Sequence, residues 1–157
     1  MLPERIEKPW RDLKAYIEAR RIEALAEAKL AIRLLSEGYI RNAAGKAFQS
    51  FKSLLAALAG ERREELANKL PKVDRLIAHM PTSVIRSVAK ILGLEEEAII
   101  ALALHQYQYN GVDPEGVMSI YSSKDDAIRD MCILLIKISE MLNDEGLKTE
   151  LKGVCPK

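Results

Sequence analysis

His79 and His105 are the only imidazoles in the chain, so proton transfer near neutral pH has few places to occur. Arg75 and His79 stand four positions apart, a spacing that lets two side chains meet on one face of a helix. Such a pair could hold a phosphate and move a proton, as a metal-independent ribonuclease requires. On the polar side of a short helix it would be only a solvated pair. His105 opens the run His-Gln-Tyr-Gln-Tyr-Asn-Gly. At helical spacing it shares a face with Ala98, Ala101, Leu102 and Tyr109, which directs it to the core or its rim. A histidine in a last helical turn also suits the negative end of the helix dipole and can cap free carbonyls. His105 and Tyr109 are therefore the catalytic candidates. Tyr107, on the opposite side, and Asn110 are candidate ligand contacts. Rings alternating near a helix end can stack bases, or cover a bundle end with their hydroxyls in water.

A second group lies earlier in the chain. Arg41, Asn42, Lys46 and Lys52 fall away from the apolar stripe of the surrounding segment. They form either a solvated basic face or a cradle for a phosphate-bearing ligand. Other chemistries lack their motifs: there is no phosphate-cradling glycine loop, no paired-cysteine metal spacing and no two histidines four apart around a glutamate. No metal or cofactor is expected. A nucleophile–histidine–acid arrangement assembled in space stays open, since such triads carry no fixed sequence order.

The elements that must position these residues read as helices throughout. A chain of 157 residues with 30% charged and 5% aromatic residues fits one domain built from helix formers. The net charge of +1 makes no case for nucleic acid, but its distribution is uneven. Residues 1–37 carry eight basic and seven acidic side chains, 38–93 ten and four, and 94–157 six and twelve. The basic middle and acidic end either complement each other or leave a basic patch for an anionic partner. Cys132 lies in an apolar run and reads as a small hydrophobe, Cys155 lies near the C-terminus, and no disulfide framework is expected. With no disulfide pattern and no secretory segment the expected compartment is the cytoplasm, and no apolar run approaches the ~20 residues of a membrane helix. The scarcity of Asn, Gln and Phe beside abundant charge suggests a heat-adapted source.

The three-to-four spacing predicts one long first helix, or two collinear pieces, from Pro9 to Gly38, with Arg20 and Arg21 where it outruns the core or forms a dimer seam. A second runs from about Tyr39 to Leu58. Its Gly45 sits among small residues that suggest close approach to the first helix. Shorter stripes follow around Val73–Met80 and before Gly93, then the apolar helix ending at Asn110-Gly111. A last helix starts at a Ser123–Asp126 capping box and stops near Asn143. The expectation is a single-domain all-α antiparallel bundle of five to six helices over residues 9–145. A flexible segment, 1–8, precedes it and a polar tail, 146–157, follows.

GYIRNAAGKAFQSFKSLLAALA, Gly38 to Ala59, and LALHQYQYNG, Leu102 to Gly111, resemble in order and spacing two motifs of the crenarchaeal PaREP family of small helical proteins. The resemblance covers roughly residues 20 to 142. It implies a bundle related to HEPN domains, which often dimerise, and implies little about activity. HEPN ribonucleases carry an Arg followed after four to six residues by a His. Only three residues separate Arg75 from His79, and no Arg stands at the required distance before His105, which argues against that chemistry. The first two helices also resemble a single tetratricopeptide hairpin. The leading expectation is a non-catalytic, HEPN-like, self-associating module with a protein, nucleotide or RNA partner. The alternatives are a ribonuclease or nucleotidyl-handling enzyme using His105, Tyr109, Arg41 and Lys46, and a tetratricopeptide-like adaptor.

Overall fold

A computed structural model of the chain describes residues 2–157. Among them are eight helices: α1 Leu13–Ser36, α2 Ile40–Glu61, α3 Arg63–Ala67, α4 Val73–His79, α5 Thr82–Ile91, α6 Glu95–Asn110, α7 Lys124–Leu142 and α8 Glu145–Val154. No strand occurs among the described residues, so the fold is all-α. The expected five to six helices become eight because the middle of the chain breaks into short pieces and the end folds back.

The α1–α2 hairpin is the frame. Asp12 starts α1 by accepting from the Ala15 backbone N–H at 3.0 Å, so the helix begins after Pro9 rather than at it. Gly38, at φ +87°, lets the Gly38 and Tyr39 amides close the end of α1 on Leu35 and Leu34. The short turn makes the two helices antiparallel, as successive cross-contacts record: Lys46 with Glu27, Ser50 with Ala24, Ser53 with Glu23, Arg21 with Glu61. Ala24, Ala28 and Ala31 of α1 and Ala43, Ala44 and Ala47 of α2 are buried, and such small residues allow close backbone approach. Beyond them Phe48, Phe51, Leu54 and Leu55 fill the centre, against α6 and α7.

Two glycines of α2 have different neighbours. A methyl group on Gly60 would lie 2.8 Å from the Ile17 side chain, so α1 packs closely on α2 here. On Gly45 it would lie 2.4 Å from the Gln108 amide. Gly45 therefore accommodates α6 and not, as expected, α1.

The arginine pair is also corrected. Arg20 is half-buried between Tyr16 and Glu23, and Arg21 donates twice to Glu61 of α2 at 3.0 and 2.6 Å. The helix does not outrun the core there; the guanidiniums bind it to its neighbours.

The expected polar tail is α8. Asp144 caps it by accepting from the Leu147 amide at 2.8 Å, and Leu147 and Leu151 are fully buried against the bundle. Folding back along α7 brings the Cα atoms of Cys132 and Cys155 to 5.8 Å, and the two cysteines form a disulfide. The expectation of two unpaired thiols is thereby overturned. At the other end of α7, Ser123 Oγ accepts from the Asp126 amide at 3.2 Å, as the capping box predicts.

Candidate functional site

Most of the sequence-predicted site residues gather where the N-terminus of α2 meets the C-terminus of α6. An α-helix leaves its last carbonyls unpaired and partly negative. Arg41 answers this for α6: its Nε donates to the Gln108 carbonyl at 3.0 Å and its Nη2 to the Tyr109 carbonyl. The cation proposed for a phosphate is thus a cap on a neighbouring helix. Lys46 pairs with Glu27 at 3.2 Å, an ion pair short of an aligned hydrogen bond, since Glu27 Oε2 is buried without one. Asn110 donates through Nδ2 to the Gln106 and Met118 carbonyls at 3.1 and 3.0 Å, which ties α6 to the following loop. Asn42 is exposed on the outer side of α2.

His105 and Tyr109 do come together, as their spacing predicts. The imidazole stacks on Phe48 with ring centroids 4.1 Å apart, and Tyr109 meets its edge at 5.4 Å. Its Nδ1 is buried without a hydrogen-bond partner. Burial foremost, helped by the charge of Lys52 and opposed by the Gln108 amide, holds the imidazole below its ordinary value of 6.5. With its ring on a phenyl face and Nδ1 buried, the imidazole leaves at most its other nitrogen to meet a substrate.

The sign of the resulting pH dependence follows by linkage. Above about 6.5 folded and unfolded chains both hold a neutral His105. Below it the unfolded chain binds a proton that the folded one resists. Stability is therefore expected to fall as pH drops from about 6.5 toward the lower folded pKa. Urea midpoints between pH 7.5 and 5 would show it as a slope that is reduced in His105→Gln; equal slopes for the two proteins would refute the assignment.

Tyr107 departs from the expectation of a wet hydroxyl. It is buried, edge-on to Tyr121 at 5.6 Å, and burial raises its pKa, with Arg41 acting the other way. Tyr121 in turn donates to Asp130 at 2.8 Å, and burial, then Asp130, push its pKa up. The two rings are a structural wedge behind the α6–α7 loop. Arg75 and His79 both reach the surface, on α4.

The loop between α6 and α7, marked in the sequence by Asp113-Pro114, is built around one carboxylate. Asp113 accepts from the amides of Glu115, Val117 and Met118 at 3.1, 2.9 and 2.7 Å, and its own amide donates to the Tyr121 carbonyl at 2.8 Å. These backbone donors hold the Asp113 carboxyl below the usual range, against the effect of its partial burial. A loop so fixed still presents Val117, Ile120, Met118 and Val112 outward, at 79, 65, 61 and 49% exposure, with Tyr109 at 67% nearby in sequence. The available signal was four apolar residues in a turn-rich segment with no helical period to bury them.

Among the described residues no group of His, Cys, Asp and Glu could hold a metal ion, and no helix is long and apolar enough to cross a membrane. Residues 19–132 match the model of a family described as the archaeal PaREP1/PaREP8 family. No curated protein and no solved structure matches the chain.

Proposed function

The chain belongs to the archaeal PaREP1/PaREP8 family, and from that premise we propose that it is a non-catalytic, HEPN-like helical module that self-associates through its α6–α7 loop. The observation that carries this is the pairing of rigidity with apolar exposure. The Asp113 carboxylate and Asn110 amide fix the loop backbone, while four large apolar side chains stand in water. A patch already held in shape loses little conformational freedom on binding, and exposed apolar clusters mark interaction surfaces. A second copy is the occupant chosen, because closed symmetric homodimers are the commonest assemblies. The HEPN resemblance points the same way. The proposed setting is the cytoplasm of a heat-adapted archaeon, where intracellular disulfides are an ordinary feature.

Against the enzyme alternative, Arg41 caps a helix, Lys46 is paired and His105 lies against Phe48, while Tyr109 stays exposed. The adaptor reading needs an open concave groove, but the inner face of the α1–α2 hairpin is filled by α6 and α7.

Light scattering at two concentrations is the direct test. The expected result is a rise toward twice the monomer mass at the higher concentration. The double variant V117D/I120D should stay monomeric while keeping its melting temperature, since both side chains are exposed. A strict monomer at both concentrations would remove the proposal.

A further inference from the structure

A different face of the bundle holds a small polar cleft of about 190 Å³ between α1, α2 and α4. Its floor is a bonded network. Tyr16 Oη donates to the Ile77 carbonyl and accepts from Arg20 Nε at 3.2 Å. Arg20 Nη1 donates to Glu23 Oε2 at 2.9 Å and Nη2 to the Ala78 carbonyl at 3.4 Å. Ser53 Oγ donates to the other Glu23 oxygen at 3.0 Å. Among the described residues Glu23 is the only carboxylate lining the cleft, and both its oxygens are engaged.

The donors are not exhausted. A guanidinium has five N–H groups, of which Arg20 uses three. Lys52 lines the cleft with three donors and, among the described residues, no carboxylate within 4.0 Å. His79 stands at the same cleft. With Glu23 neutralised by Arg20, the free charge is positive and comes from Lys52. The arginine is immobilised by its stack over Tyr16, 5.1 Å from the ring centroid, so its remaining N–H groups are preorganised. The volume is below the roughly 300–1,000 Å³ of sites that enclose whole drug-sized ligands, and it suits one compact anion.

We infer that this cleft binds a phosphate monoester, with Lys52 and the two free N–H groups of Arg20 as the charged donors and His79 at the mouth. The rest of the ligand lies outside, across exposed Gln49 and His79. This site is independent of the loop proposed for self-association.

The test is an amide chemical-shift titration of the full-length protein at constant ionic strength. Its arms are inorganic phosphate, adenosine 5′-monophosphate, adenosine, and an oligoribonucleotide without a terminal phosphate. Saturable shifts are expected for Ser53, Ala78 and His79 with phosphate and with the monophosphate, and none with adenosine. Lys52→Ala should raise the half-saturating phosphate concentration about tenfold or more, the size of a charged hydrogen bond. It should melt as the parent does, because Lys52 is only partly buried. His79→Gln should weaken binding less. Absence of saturation by phosphate, an unchanged Lys52→Ala response, or an equal response to adenosine would overturn the site. Shifts with the oligoribonucleotide matching those with phosphate would overturn the monoester assignment.

Discussion

Phe48→Ala is expected to lower the stability of the fold by about 3–5 kcal/mol, the usual loss for truncating a buried phenyl ring. Phe48 is buried at the centre of α2 and is also the surface on which His105 rests. Its removal leaves a void beside the imidazole, admits water and relieves the burial that depresses the His105 pKa. Two readouts should move together: the urea midpoint falls, and the His105 proton resonances titrate closer to 6.5 than in the parent. Phe51→Ala is the control. It removes an equally buried ring that is not one of the ring partners of His105, Phe48 and Tyr109, so it should lower stability by a similar amount with less effect on that titration. If His105 titrates identically in all three proteins, Phe48 is not what shields it.

Reduction of the Cys132–Cys155 bond should have the next largest effect. The bond joins residues 23 positions apart, and a loop of that length restrains the unfolded chain by about 3 kcal/mol on the chain-entropy account. For a chain of this size that is roughly 6–12 °C in melting temperature. Thermal melts with and without a phosphine reductant, beside a C132A/C155A variant insensitive to it, would measure the difference. A parent that melts at the same temperature in both conditions would show that the link adds no stability. Leu147 and Leu151, both buried, should then still hold α8 in place.

What the sequence made legible was local. Asn110-Gly111 ended α6 because no side chain suits the positive φ at Gly111. Spacing placed His105 and Tyr109 on one side and Tyr107 on the other. The hairpin of α1 and α2 followed from a glycine between two apolar stripes. What escaped notice was set by packing across the bundle. Gly45 signals that something comes close, but only the assembled fold says that it is Gln108. Arg20 looked like an interruption because hydrophobic counting has no place for a guanidinium held by a phenol and a carboxylate. The cleft draws Arg20, Lys52 and His79 from three helices, so no window of sequence contains it. The short helix α8 carried its signal, Leu147, Leu151 and Val154 at four and three residues, beneath a dense covering of charge.

The covalent ring from Cys132 to Cys155 also changes what a cut does to this molecule. The exposed residues Asn143, Glu145 and Gly146 lie at the α7–α8 turn, within the span that the bond encloses. Hydrolysis of one peptide bond there leaves two polypeptides still joined through sulfur. On a gel without reductant the product runs as one species, heavier than before by a single water. The turn can be nicked without the protein being shortened.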